Sequence, residues 1–240
     1  LSDAPHVEWT TRAEFDLGDP DIRAARRWRD YEAIINAGAY TAVDLAETAD
    51  GRRDAWAANA AGPARLTAIA AEFGVTLVHV SSDYVFDGSA DRPYREDDAV
   101  CPLGVYGQSK AAGDLAVSTT PRHYILRTSW VIGDGKNFVR TMASLAERGI
   151  DPKVVDDQRG RLTFASEIAR AILHLLGTHA PYGTYNVTGA GEVRTWKEIA
   201  SDIFAITGAD RSRVSGVSTD DYFANATGPV APRPLNSVLD

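Results

Sequence analysis

Cysteine is almost absent: Cys101 is the only one in 240 residues. No internal disulfide can form, and a reducing, cytoplasmic setting is the expectation. No apolar run approaches the length of a membrane span. There is no basic tract, and the formal net charge is -8, which argues against nucleic acid as a partner. The opening, LSDAPHVEW, has neither a signal-peptide pattern nor a methionine, so the chain reads as a fragment. Histidines at 6, 79, 123, 174 and 179 lack metal-ligand spacing, and packing or surface roles are expected for them.

With 44% hydrophobic and 24% charged residues, the composition is that of an ordinary globular protein. Short apolar runs alternate with helical patterns. YEAIINAG (31–38), VTLVHVSS (75–82), HYILRTSWVIG (123–133) and YGTYNVTG (182–189) read as strands. WTT ahead of Arg12 reads as a further strand end. The alanine-rich stretch 52–74 reads as a helix with Gly74 as its C-cap, bent or divided at Gly62-Pro63. Helices are also expected at the stretch holding Tyr106 and Lys110, at 137–149, and in the second half of 153–176. Another is expected at 195–208, where Thr195 and Glu198 form a capping-box pattern. The proline-rich tail reads mostly as loop. This order predicts an α/β fold, a doubly wound, Rossmann-like parallel sheet, with ligands at the carboxyl ends of the strands. Residues 1–130 would form the dinucleotide-binding region. Residues 131–240 would form mainly a smaller substrate-binding lobe, partly interleaved with the first.

VYGQSKAAGD (105–114) raises the chemical question. Tyr106 and Lys110, four apart, would share one helix face. A lysine cation one turn away favours the tyrosinate and is expected to lower the tyrosine pKa. Two ordinary surface residues are the other reading. The spacing alone does not decide.

SSDYVFDG, YGQSK, RTSWVIG, DDQRGRLT and RPLNSVLD occur in that order, preceded by NAGAYTAVDLAE. This set resembles the extended short-chain dehydrogenase/reductase family and, within it, the dTDP-4-dehydrorhamnose reductases, over about residues 12–240. The resemblance implies reduction of a C4 ketone on a dTDP-linked 6-deoxyhexose, with NADPH as hydride donor and NADH as the alternative. It implies Ser82, Tyr106 and Lys110 as the catalytic set. Tyr106 and Lys110 would also contact the cofactor, together with Arg12, Asp16, Leu17, Ala39, Tyr40 and Thr41. Arg12 would meet a 2′-phosphate, although an ordinary surface arginine reads the same way. Ser82, Asp83, Trp130, Asn137 and Arg233 would contact substrate. Gln158, Arg161 and Thr163 resemble a motif near the nucleotide sugar. Bland readings stand beside these: an Asx turn at Asp83, a core aromatic at Trp130, an N-cap at Asn137. Tyr84 follows Asp83 where related 4,6-dehydratases carry a second acid, which favours simple reduction over elimination.

Family members also use Mg2+ at a subunit contact, with Glu167 as a candidate here, and a homodimer is compatible with the resemblance. The Gly-x-x-Gly-x-x-Gly phosphate turn that opens the family is missing. Truncation at both ends is the expected reason. A non-catalytic NADP-binding regulatory subunit, or another nucleotide-sugar 4-ketoreductase or epimerase, remain the alternatives.

Overall fold

A computed structural model describes residues 7–240; His6 lies outside them. Four parallel strands form the main sheet. They are β1 (Ala33–Asn36), β2 (Thr76–Ser82), β3 (His123–Thr128) and β8 (Gly183–Asn186), in spatial order β1-β2-β3-β8. Short strands fill the interval between β3 and β8: β4 (Val131–Ile132), β5 (Lys153–Val155), β6 (Arg159–Gly160) and β7 (Thr163–Phe164). Two more, β9 (Arg194–Thr195) and β10 (Ser215–Val217), follow. The helices are α1 (Ala49–Trp56), α2 (Gly62–Phe73), α3 (Val105–Val117), α4 (Phe138–Glu147), α5 (Ala165–Thr178), α6 (Trp196–Ile206) and α7 (Thr219–Phe223).

Strand alternation explains the double winding. Leu77 and Ile125 point to one face and pack with Leu66, Ile69 and Val117 of α2 and α3. Val78, Tyr124 and Leu126 point to the other face and meet Ile168, Ile172 and Leu175 of α5. Period-two side chains on a sheet buried on both sides give two cores. A third core joins α4, β5 and α6 through Met142, Val154, Ala200 and Phe204. It is separate from the two clusters that flank the main sheet. Strand β8 and helix α5 belong to the main sheet although they lie late in the chain.

Several expectations are corrected. Residues 9–11 form no strand, because an extended segment needs a pairing neighbour and among the described residues β1 pairs only with β2. The strand expected at 123–133 breaks after Thr128, since Trp130 takes a left-handed backbone with φ 47. The 52–74 stretch starts earlier, at Ala49, and its regular α-helix is interrupted by a π-helical turn at Ala57–Ala61. After that turn α2 opens at Gly62-Pro63, the expected point of division. The extended start of 153–176 is three short strands, and the tail contains α7. Gly74 does cap α2, with φ 68, and Thr195 and Glu198 form the capping box at α6.

Candidate active site

Strand β2 ends at Ser82, and a single 3-10 turn, Asp83–Val85, follows it. Helix α3 lies across this end. Two glycines permit the approach: a Cβ on Gly107 would lie 2.2 Å from the Tyr84 carbonyl oxygen, and one on Gly113 would lie 2.2 Å from the Asn59 carbonyl oxygen. Gly113→Ala is therefore expected to push α3 off the helical rod behind it and to destabilise the fold by about 1–3 kcal/mol. A urea titration of the variant against the native chain checks this.

The N-terminus of α3 is held from outside. The Val105 N–H donates to Glu47 Oε1 at 2.8 Å, a carboxylate placed where the helix dipole favours it. The ring of Tyr106 meets Tyr84 edge-on, with centroids 5.4 Å apart. Lys110 is 2% exposed, and its Nζ donates to the Val80 carbonyl at 2.7 Å. Burial pushes the Lys110 ammonium down to about 8, against the opposing pull of Asp114.

Tyr106 departs from expectation. Desolvation pushes its phenol up to about 12, with the Ser82 hydroxyl pulling the other way. Burial thus outweighs any lowering by Lys110. The outcome is a protonated phenol at neutral pH, the form a proton donor requires. Asp83 is 3% exposed, and burial raises its carboxyl to about 6, partly offset by the Ser237 and Ser82 hydroxyls. Ser82 Oγ donates to Asp83 Oδ1 at 3.2 Å and accepts from the Tyr84 N–H. The Thr128 and Ser129 hydroxyls at the end of β3 are buried without a hydrogen-bond partner among the described residues. Thr128 sits opposite Ser82 in the sheet register.

The residues expected on the cofactor side gather at the end of β1. Arg12 and Asp16 pair at 3.6 Å, both exposed. Leu17 lies against Gly38 and receives a hydrogen bond from Arg65 at its carbonyl. Ala37, Gly38 and Ala39 are exposed, so small residues line the surface there. Asn59, in the π-helical turn, clamps Tyr40 on both sides. Its Oδ1 accepts from the Tyr40 N–H at 2.8 Å, and its Nδ2 donates to the Tyr40 carbonyl at 3.0 Å. Nδ2 also meets Ser109 Oγ at 3.1 Å. Tyr40 and Tyr106 pack on one apolar cluster of Ala46, Ala55 and Val105, which ties the cofactor side to the catalytic helix. Exposed small residues beside a clamped backbone, at the carboxyl end of a parallel strand, fit a dinucleotide.

The structure does not bring every expected residue to one place. Nη2 of Arg233 donates to both carboxylate oxygens of Asp44, at 2.7 and 2.8 Å, Nη1 donates to the Ala231 carbonyl, and the guanidinium lies over the Phe223 ring. A phosphate would have to displace that carboxylate. Asn137 uses its amide as the α4 cap, accepting from the Arg140 N–H and donating to the Gly133 carbonyl. Trp130 stacks on Trp196 of α6, with centroids 3.7 Å apart. Gln158 accepts from Trp196 Nε1, Arg161 bonds the Gly191 and Leu239 carbonyls, and Thr163 is buried. Glu167 is paired with Arg170. Among the described residues no group of three His, Cys, Asp or Glu side chains is placed to hold a metal. Nor does any helix have the length and apolarity to cross a membrane.

Sequence reasoning missed Asn59, Glu47 and Asp114. Asn59 did carry a signal: an amide amid alanines, in a helix whose buried face should be apolar.

The sequence matches the RmlD substrate binding domain family over residues 2–240. The chain belongs to this family. Among its relatives is a dTDP-4-dehydrorhamnose reductase from Burkholderia thailandensis, 40% identical over 95% of this chain and 80% of that one. Among solved structures, a dTDP-4-dehydrorhamnose reductase from Clostridium acetobutylicum superposes with a TM-score of 0.87. It is 36% identical over 96% of this chain and 80% of that one. The Bacillus anthracis enzyme, solved in complex with NADP, gives 0.84 at 32% identity with the same coverage. These RmlD-type relatives agree with the resemblance drawn from the ordered motifs.

Proposed function

We propose that this chain reduces the C4 ketone of dTDP-4-dehydro-L-rhamnose to dTDP-L-rhamnose, with NADPH as the reductant. The observation that carries the reading is the grouping of Ser82, Tyr106 and Lys110 at the carboxyl end of the sheet, in a chain whose relatives bear that activity in their names.

When bound, NADPH supplies the hydride that reduces the carbonyl carbon. The protein supplies the rest. Tyr106, protonated at neutral pH, gives its phenolic proton to the carbonyl oxygen as negative charge grows there. Ser82 stabilises the same oxygen by a hydrogen bond, giving up its long contact to Asp83. Lys110, cationic below about pH 8, stabilises the tyrosinate left behind. Lys110 and Tyr106 would also hold the nicotinamide ribose. Ala39, Tyr40 and Thr41 would line the cofactor cleft, Asp16 and Leu17 would hold the adenine end, and the exposed guanidinium of Arg12 would pair with a 2′-phosphate, which would favour NADPH over NADH. Asp83, Trp130, Asn137 and Arg233 are assigned to the substrate side, Arg233 by exchanging Asp44 for a diphosphate oxygen. The division at residues 130 and 131, and a cytoplasmic location, are parts of the same proposal.

The test follows loss of reduced nicotinamide absorbance with dTDP-4-dehydro-L-rhamnose, against UDP- and GDP-linked 4-ketosugars. Turnover confined to the dTDP sugar is the expected result. A preference for another nucleotide would overturn the substrate assignment. Asn59→Ala, which unclamps Tyr40, is expected to raise the KM for NADPH several-fold and to lower stability by about 1–3 kcal/mol. Initial rates at varied NADPH check this.

A further inference from the structure

The face of α3 that carries Tyr106 and Lys110 continues one more turn to Asp114. The spacing i, i+4, i+8 puts the three side chains in one row. Asp114 is 3% exposed and faces the sheet. Arg127 of β3 donates to its Oδ2 from Nε at 3.1 Å. Arg127 is itself 6% exposed, bonded to the Glu96 carbonyl and seated over the Phe86 ring. From β2, His79 presents Nε2 at 3.8 Å from Asp114 Oδ1, and Ser81 lies beside the carboxylate.

His79 adds no cation to this cluster. It is fully buried, and burial and the Lys110 charge hold it well below its ordinary pKa. The Asn36 amide donates to His79 Nδ1 at 2.9 Å, so the neutral ring carries its proton on Nε2, toward Asp114. Around Lys110, then, α3 contributes Tyr106 and Asp114. Strand β2 contributes neutral His79, Ser81 and the Val80 carbonyl, with Asp83 beyond its end, and β3 contributes Arg127. Asp114 is a buried carboxyl one turn from Lys110 on the same face of α3. Burial raises its own pKa, the Arg127 guanidinium opposes that rise, and its carboxylate opposes the burial of Lys110.

We propose that Asp114 is a positioning residue whose buried carboxylate keeps Lys110 cationic beneath the reacting tyrosine. This rests on the reductase reading for its catalytic meaning, but the charge state of Lys110 is measurable without substrate. The chain has only four lysines, at 110, 136, 153 and 197, and the other three are at least partly exposed. Lysine labelled with 13C at Cε gives four resonances, and Lys110→Met assigns the buried one.

In the native protein Lys110 should still be charged at pH 7. A Lys110 already neutral there would overturn the proposal. In Asp114→Asn its titration should fall by about one pH unit, and the alkaline limb of the kcat/KM profile should move the same way. An unmoved Lys110 in a folded Asp114→Asn variant would also overturn it. If the lone Arg127 charge prevents that variant from folding, Arg127→Met is compared with the double variant Asp114→Leu/Arg127→Met, since both lack the Arg127 cation and only the first keeps the Asp114 carboxylate. The Lys110 titration should be lower in the double variant than in Arg127→Met, and equal values would overturn the proposal. Native protein that shows the lysine shifts without turnover would count against the reductase reading alone.

Discussion

Tyr106→Phe is expected to cut turnover by ~10²–10⁴-fold, the range for removing a positioned general acid, while NADPH still binds. The ring stays, so the edge-on contact with Tyr84 and the packing on Ala46, Ala55 and Val105 are kept. What is lost is one hydroxyl. Desolvation holds its proton in place, up to about pH 12, so at neutral pH the native phenol is always loaded for donation. The same shift makes the bare tyrosinate costly, so proton release depends on Lys110 being charged as it happens. The measurement is paired: kcat from nicotinamide absorbance, and cofactor affinity from fluorescence quenching. A drop in kcat with unchanged affinity fits the account. Full activity would remove Tyr106 from the chemistry.

Lys110→Met is expected to abolish turnover and, at neutral pH, to stabilise the fold. Lys110 is buried, and its pKa falls from the ordinary 10.5 to about 8. A native pKa below the unfolded one means that the folded state binds fewer protons between those values, so stability rises with pH across that window. The penalty for the buried cation is full below pH 8 and has gone above about 10.5. It amounts to roughly 3 kcal/mol, against about 1.5–3 kcal/mol for the lost charge-assisted hydrogen bond to Val80. Methionine fills a similar volume without the charge. The variant should therefore melt slightly higher than the native chain at pH 7. That advantage should shrink between pH 8 and 10.5. A variant less stable at pH 7 would mean that Lys110 holds the core together rather than straining it.

Local chemistry was readable from the sequence. The capping box at Thr195 and Glu198 needs only neighbours in the chain, as does the left-handed cap at Gly74. The Tyr106–Lys110 pairing needs only the helical period. The ordered motifs led to the family, and the family agrees with the relatives found. The failures are tertiary. The break at Trp130 answers to its stack on Trp196, 66 positions later in the chain. Arg233 is claimed by Asp44, a partner no local pattern announces. Glu47 caps a helix 58 residues away. The expected lowering of Tyr106 failed because spacing reports the charge beside a group but not the water removed from it. Burial is a property of the whole fold, and here it is the larger effect.

Deuterium transfer tests the central claim most directly. NADPH carrying deuterium at the transferable C4 position would be incubated with dTDP-4-dehydro-L-rhamnose and the native chain, and the sugar analysed by NMR. One deuterium at C4 of dTDP-L-rhamnose per cofactor consumed is the predicted result. Cofactor left unconsumed, or product without deuterium at C4, would contradict it.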